Sequence, residues 1–124
     1  MAVSGSYFID RAAAEKAIAL AMPMIEQAMQ RKEVGESGFL YIVVMDPLLT
    51  PANSSFEEAI LHEHAVGDRD KWDADYGAFA RAKARVAWRT GMDGHLVQEL
   101  RPHMLTARDT VLWGSVVVAG IVVA

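Results

Sequence analysis

Seven consecutive apolar residues, Phe39-Leu40-Tyr41-Ile42-Val43-Val44-Met45, closed by Asp46-Pro47, constrain this chain more than any other feature. They are strand formers without polar alternation, and a strand that is apolar at every position has to be covered on both faces. A sheet with a layer on each side is therefore expected, and the flanking segments must supply the layers. Asp10 is suited to cap a helix, because its carboxylate accepts an orphan backbone N–H at the positive helix end. From there Ala14, Ile18, Ala21, Met22, Ile25 and Met29 recur at helical spacing to about Arg31, a core-facing stripe. Pro23 inside it predicts a kink, or a break near Ala21.

The remaining elements follow from similar signals. Leu48 to Ser55 is rich in turn residues, and Phe56 to Val66 is read as one or two strands with Phe56, Glu58, Ile60, His62 and His64 on one side. A helix is expected from about Asp70, with acidic residues at its start, Arg81, Lys83, Arg85 and Arg89 towards its end, and Gly91 in the left-handed terminal position. Its apolar stripe runs through Trp72, Tyr76, Phe79, Ala80, Lys83, Val86, Ala87 and Thr90. Ala74, Gly77, Arg81, Ala84, Arg85 and Trp88 fall on the opposite face. The tail, Thr110 to Ala124, reads as two strands meeting near Ala119-Gly120, and it is too short for the roughly 20 residues of a membrane span.

The chain has 124 residues, one domain's worth, and 52% of them are hydrophobic, which excludes a disordered polymer. Its 12 basic and 16 acidic residues give a net charge of −4, which speaks against a nucleic-acid partner. No cysteine is present, so disulfides, thiolate metal sites and thiol nucleophiles are excluded. The amino-terminal residues carry no basic and apolar leader pattern, and a cytoplasmic protein is expected.

Ile42-Val43-Val44-Met45-Asp46, then Phe79-Ala80-Arg81-Ala82-Lys83-Ala84-Arg85-Val86-Ala87, then the glycine-punctuated stretch from Gly114 to Ala124, occur in an order that resembles the GlcG/HbpS-like haem-binding family. That family also supplies the C-terminal domain of PduO-type proteins. The resemblance covers residues from about 10 onward. It implies an α+β fold of three layers, α/β/α, like profilin, with a five-stranded antiparallel sheet flanked by helices over 1–124. It also implies assembly into homo-oligomers and a small-molecule ligand, haem or a related tetrapyrrole. Asp46 is followed here by Pro47-Leu48-Leu49-Thr50-Pro51 instead of a glycine-rich turn, so the loops around a ligand depart from the family pattern.

The candidate ligand-binding residues are Lys83, Asp46, His62 and His64. Lysine on an apolar helix face either snorkels to the rim or meets an anion at a pocket mouth, with Asp46 a further candidate partner. His62-Glu63-His64 aims two imidazoles the same way from a strand, but a metal centre needs a third ligand, and His95 or His103 would have to fold against the pair; no strong metal site is expected. Asp109 is open between a turn and a pocket residue, and Arg81, Arg85 and Arg89 form a basic strip at four-residue spacing. No nucleophile elbow, phosphate loop or His-Glu-x-x-His motif is present. An enzyme of lyase or isomerase type would have to use Lys83 with His62 or His64 as acid and base. Self-association, or a purely structural oligomerisation module, would use Gly77, Arg81, Ala84 and Trp88 together with the exposed tail strand. Burial of Trp88 beneath residues 92–104 of its own chain is the competing arrangement.

Overall fold

The computed structural model describes residues 6–34 and 38–124. Asp10 accepts from Ala13 N at 2.8 Å, and helix α1 runs Arg11–Met29 unbroken through Pro23. The expected break near Ala21 does not occur. Ala19, whose carbonyl loses its partner to the proline, is solvent-exposed, so water can satisfy it. Strand β1 is Leu40–Met45, as its apolar run requires.

The strand expected from Phe56 begins four residues late. Phe56–Ala59 is a helical turn, α2, and strand β2 is Ile60–Val66. Ser55 explains the difference: its hydroxyl accepts from Glu58 N at 3.2 Å and donates to the Glu58 carboxylate at 2.9 Å, a local cap that overrides strand alternation. A 3₁₀ turn at Arg69–Lys71 occupies the start predicted for the next helix. That helix, α3, is Tyr76–Thr90, capped by Asp75 and ended by Gly91 at φ 71°. Helix α4 (Gly94–Leu100) and a 3₁₀ turn (Pro102–Met104) lead to β3 (Val116–Val118) and β4 (Ile121–Val123). Ala119 and Gly120 both have positive φ, 52° and 79°, the backbone that a two-residue hairpin needs.

The sheet is antiparallel in the order β2-β1-β4-β3. It has four strands among the described residues where five were expected; residues 110–115 form no strand and meet α4 through Gln98 and Gly94. Tyr41, Val43, Met45 and Val122 face one way and pack with Phe56, Ala59, Ala80, Ala84 and Ala87. Val44 and Ile42 face the other way, under Ala14 and Ile18 of α1. The buried strand is thus covered on both sides. Among the described residues no helix is long and apolar enough to cross a membrane.

Ala80, Val86 and Ala87 of the expected core stripe of α3 are buried, and residues of the face assigned to a partner chain are buried beside them. Ala84 is fully buried in the core cluster, and Gly77 lies so close to the Tyr41 ring that an added Cβ would stand 3.5 Å from it. Small side chains let the helix backbone approach the sheet, while Phe79, assigned to the core stripe, is 44% exposed. Trp88 packs edge-on against Phe56 and donates Nε1–H to Leu49 O at 2.9 Å. Its contacts within its own chain are thus with Leu49 of the loop after β1 and Phe56 of α2. Arg81 of the same predicted interface is paired within the chain to Glu63.

The tail strand is also less open than expected. β3 is an edge, but the start of α4 closes it: Val117 N donates to Asp93 Oδ1 at 2.8 Å and Gly94 N donates to Ser115 O at 3.1 Å. Trp88→Ala therefore tests the corrected packing. It should lower unfolding stability by about 3 kcal/mol in a denaturant titration, while light scattering shows no change in assembly size.

Candidate functional site

Helix α1 covers only part of its side of the sheet, and beside it lies an open groove of about 470 Å³. Phe8, Ile9, Ala17, Ala21 and Ile25 form one wall; Ile42, Val44, Val118, Ile121 and Val123 form the floor. No lining side chain carries nitrogen, charged oxygen or sulfur. The groove falls within the roughly 300–1,000 Å³ typical of small-molecule sites, and its chemistry suits a flat apolar body.

A second depression, of about 550 Å³, follows the outer edge of β2 and has a different character. Arg11 reaches it from α1 and Arg81 and Arg85 from α3, with Phe56, Ile60 and Leu61 as apolar lining. Arg81 is fixed by Glu63, to whose carboxylate it donates Nε–H at 2.5 Å and Nη2–H at 3.1 Å; Nη2 also stands 3.4 Å from the Tyr41 hydroxyl. This pairing holds the Glu63 carboxyl below its ordinary range and raises Arg81 further, while burial, followed by the nearby Glu63 charge, pushes the Tyr41 hydroxyl up. Arg85 lies 4.5 Å over the Phe56 ring and reaches Glu57 at 3.3 Å. The His62 Nδ1 is buried and has no hydrogen-bond partner; Glu15 Oε1 is 3.8 Å away.

The four residues singled out as ligand-binding are not brought to one place. His62 and His64 pair across the ladder with Val44 and Ile42, so both lie on the α1 face, ring centres 6.5 Å apart. Lys83 lies on the α3 side, its stem and ammonium packed against Gly114, where an added Cβ would stand 3.0 Å from Cδ and 3.3 Å from Nζ. The sheet separates lysine from histidines, which removes the acid and base pair that the lyase or isomerase reading needs. Asp46 is 6% exposed and accepts from Leu48 N at 2.9 Å, so it serves the Asp-Pro turn and forms no ion pair with Lys83. Neither histidine lines the apolar groove.

The basic strip is a row of ion pairs. Arg81 meets Glu63, Arg85 meets Glu57, and Arg89 meets the buried Asp109, which also accepts from Thr106 N at 2.7 Å. Asp109 is thus a turn and ion-pair residue. Among the described residues no three His, Asp or Glu side chains are placed to share a metal ion. Arg11 was missed by sequence reasoning because the residue gives no sign of which strand edge its helix will lie beside. No protein-family model, curated protein or solved structure matches the chain.

Glu63 offers a direct test of the edge cluster. A carboxyl held below its ordinary 4.5 contributes stability that is present above that pH and lost as pH falls through the lower folded value. Urea midpoints measured from about pH 7 down to about pH 3 should fall more steeply on the acid side for the wild type than for Glu63→Gln. Parallel curves would show the pair to contribute nothing.

Proposed function

We propose that this chain is a small-molecule-binding domain of GlcG/HbpS-like, profilin-like arrangement, whose ligand lays an apolar face in the groove between α1 and the sheet. The observation that carries the reading is the groove itself: about 470 Å³ with an almost wholly aliphatic lining. Haem or a related tetrapyrrole is the ligand that the family resemblance points to. The plane of such a macrocycle fits the lining, but the lining contains no side chain able to ligate an iron. Affinity would therefore come from apolar burial, at roughly 25 cal/mol per Å² removed from water, and metal-free protoporphyrin would serve as well as haemin.

Self-association belongs to the same reading, on a different surface from the one expected. Val111, Leu112 and Trp113 are consecutive and 69%, 50% and 61% exposed, with Phe79 and Leu100 also exposed. Exposed apolar clusters of this kind mark interaction surfaces.

Haemin and metal-free protoporphyrin should bind with similar affinity, one per chain, and Ala17→Trp should weaken both by at least about tenfold, because the new ring fills the groove from an exposed helix position. Absorbance titration reads the binding and circular dichroism checks the fold. A histidine-ligated haem spectrum that disappears in His62→Ala or His64→Ala would overturn the assignment to this groove, as would no binding at all.

A further inference from the structure

The cleft along β2 has no part in the apolar site, yet its donors are arranged as if for a ligand of their own. We infer that it is a second binding site, built for a small dicarboxylate. Two groups of unspent donors reach it from opposite faces of the sheet. On the α1 side, Arg11 donates only Nε–H, to Glu15 at 3.2 Å, and both of its Nη atoms are unengaged. Beside it the buried Nδ1 of His62 has no hydrogen-bond partner. A buried polar atom left unpaired is costly, so an acceptor delivered here is favoured with the imidazole proton on Nδ1.

On the α3 side, Arg81 is held rigid by the two-pronged bond to Glu63, and its Nη1 makes no hydrogen bond. Arg85 is steadied by the Phe56 ring beneath it and has a single contact to Glu57, in a pair whose side chains are 47% and 73% exposed. Exposed pairs of that kind contribute little, so a ligand carboxylate can replace Glu57 at small cost. Pre-oriented guanidinium groups are the side chains best matched to planar carboxylates, which they grip through two parallel hydrogen bonds.

Two basic groups on either side of one strand select a ligand with two separated negative charges rather than one compact ion. Phe56, Ile60 and Leu61 in the lining match a short hydrocarbon bridge between them. Each of the three arginines has one carboxylate partner, Glu15 for Arg11, Glu63 for Arg81 and Glu57 for Arg85, so the cleft is about neutral within a chain whose net charge is −4. A ligand carboxylate therefore meets less repulsion here than the net charge of the molecule implies.

Glutarate is the probe. Titration calorimetry at about 0.15 M salt should show one glutarate per chain. Butyrate, which has one carboxylate, and inorganic phosphate, which is compact, should bind at least about tenfold more weakly. Arg85→Gln and Arg11→Gln, both at exposed positions, should each weaken glutarate by about tenfold, and Ala17→Trp in the apolar groove should leave it unchanged. No heat with glutarate, equal binding of all three anions, or binding insensitive to both arginine variants would each overturn the site. Because Ala17→Trp affects only the groove, failure of either site can be recognised without reference to the other.

Discussion

Everything in this molecule rests on how closely α3 approaches the central strand. Ala80, Ala84 and Ala87 put methyl groups where larger side chains would hold the helix off, and Tyr41, Val43, Met45 and Val122 fill the space from the sheet side. Close approach then sets the reach of the side chains flanking that contact. Arg81 and Arg85 are near enough to find Glu63 on β2 and Glu57 on α2, and Trp88 is near enough to hydrogen-bond the loop after β1. A bulkier helix face would leave these long side chains in water and the β2 edge without its basic rim.

The two faces of the sheet are consequently different environments. On the α3 side, packing is dense and ion pairs link separate elements, from Glu63 with Arg81 to Asp109 with Arg89. On the α1 side the helix covers β1 and β2, where His62 meets Glu15, touches β4 through Ile121 and leaves Val118 of β3 exposed. One face supplies stability and the other supplies room. Only at the β2 edge, where the faces meet, do charges from both converge on one cleft.

The sequence made the buried strand, its Asp-Pro ending, the capped first helix, the glycine stop of α3 and the closing hairpin legible, because each rests on local backbone chemistry. It placed Ala80, Val86 and Ala87 on the buried side of α3 but misplaced Phe79, Gly77 and Ala84. Hydrophobicity ranks Phe79 above Ala84, but a helix lying on a flat sheet is sorted by size, and alanine is both small and weakly apolar. Alternation over Phe56–Val66 was read as strand throughout because the Ser55 cap competes within the same residues. The candidate site was least legible of all. Lys83 and the histidines are separated by the sheet, and Arg11 joins Arg85 only through tertiary placement that no spacing rule encodes.

The seam between β1 and β4 bears on the order in which the molecule assembles. Val44 pairs with Val123, and Val43 exchanges two hydrogen bonds with Ala124, groups about 80 residues apart along the chain. Until that contact closes, β1 can be satisfied by β2 on one side only, and its other side is a bare row of donors and acceptors on an apolar strand. The final step of folding is then in competition with intermolecular pairing at that row, so refolding yield should depend on protein concentration even where the finished fold does not.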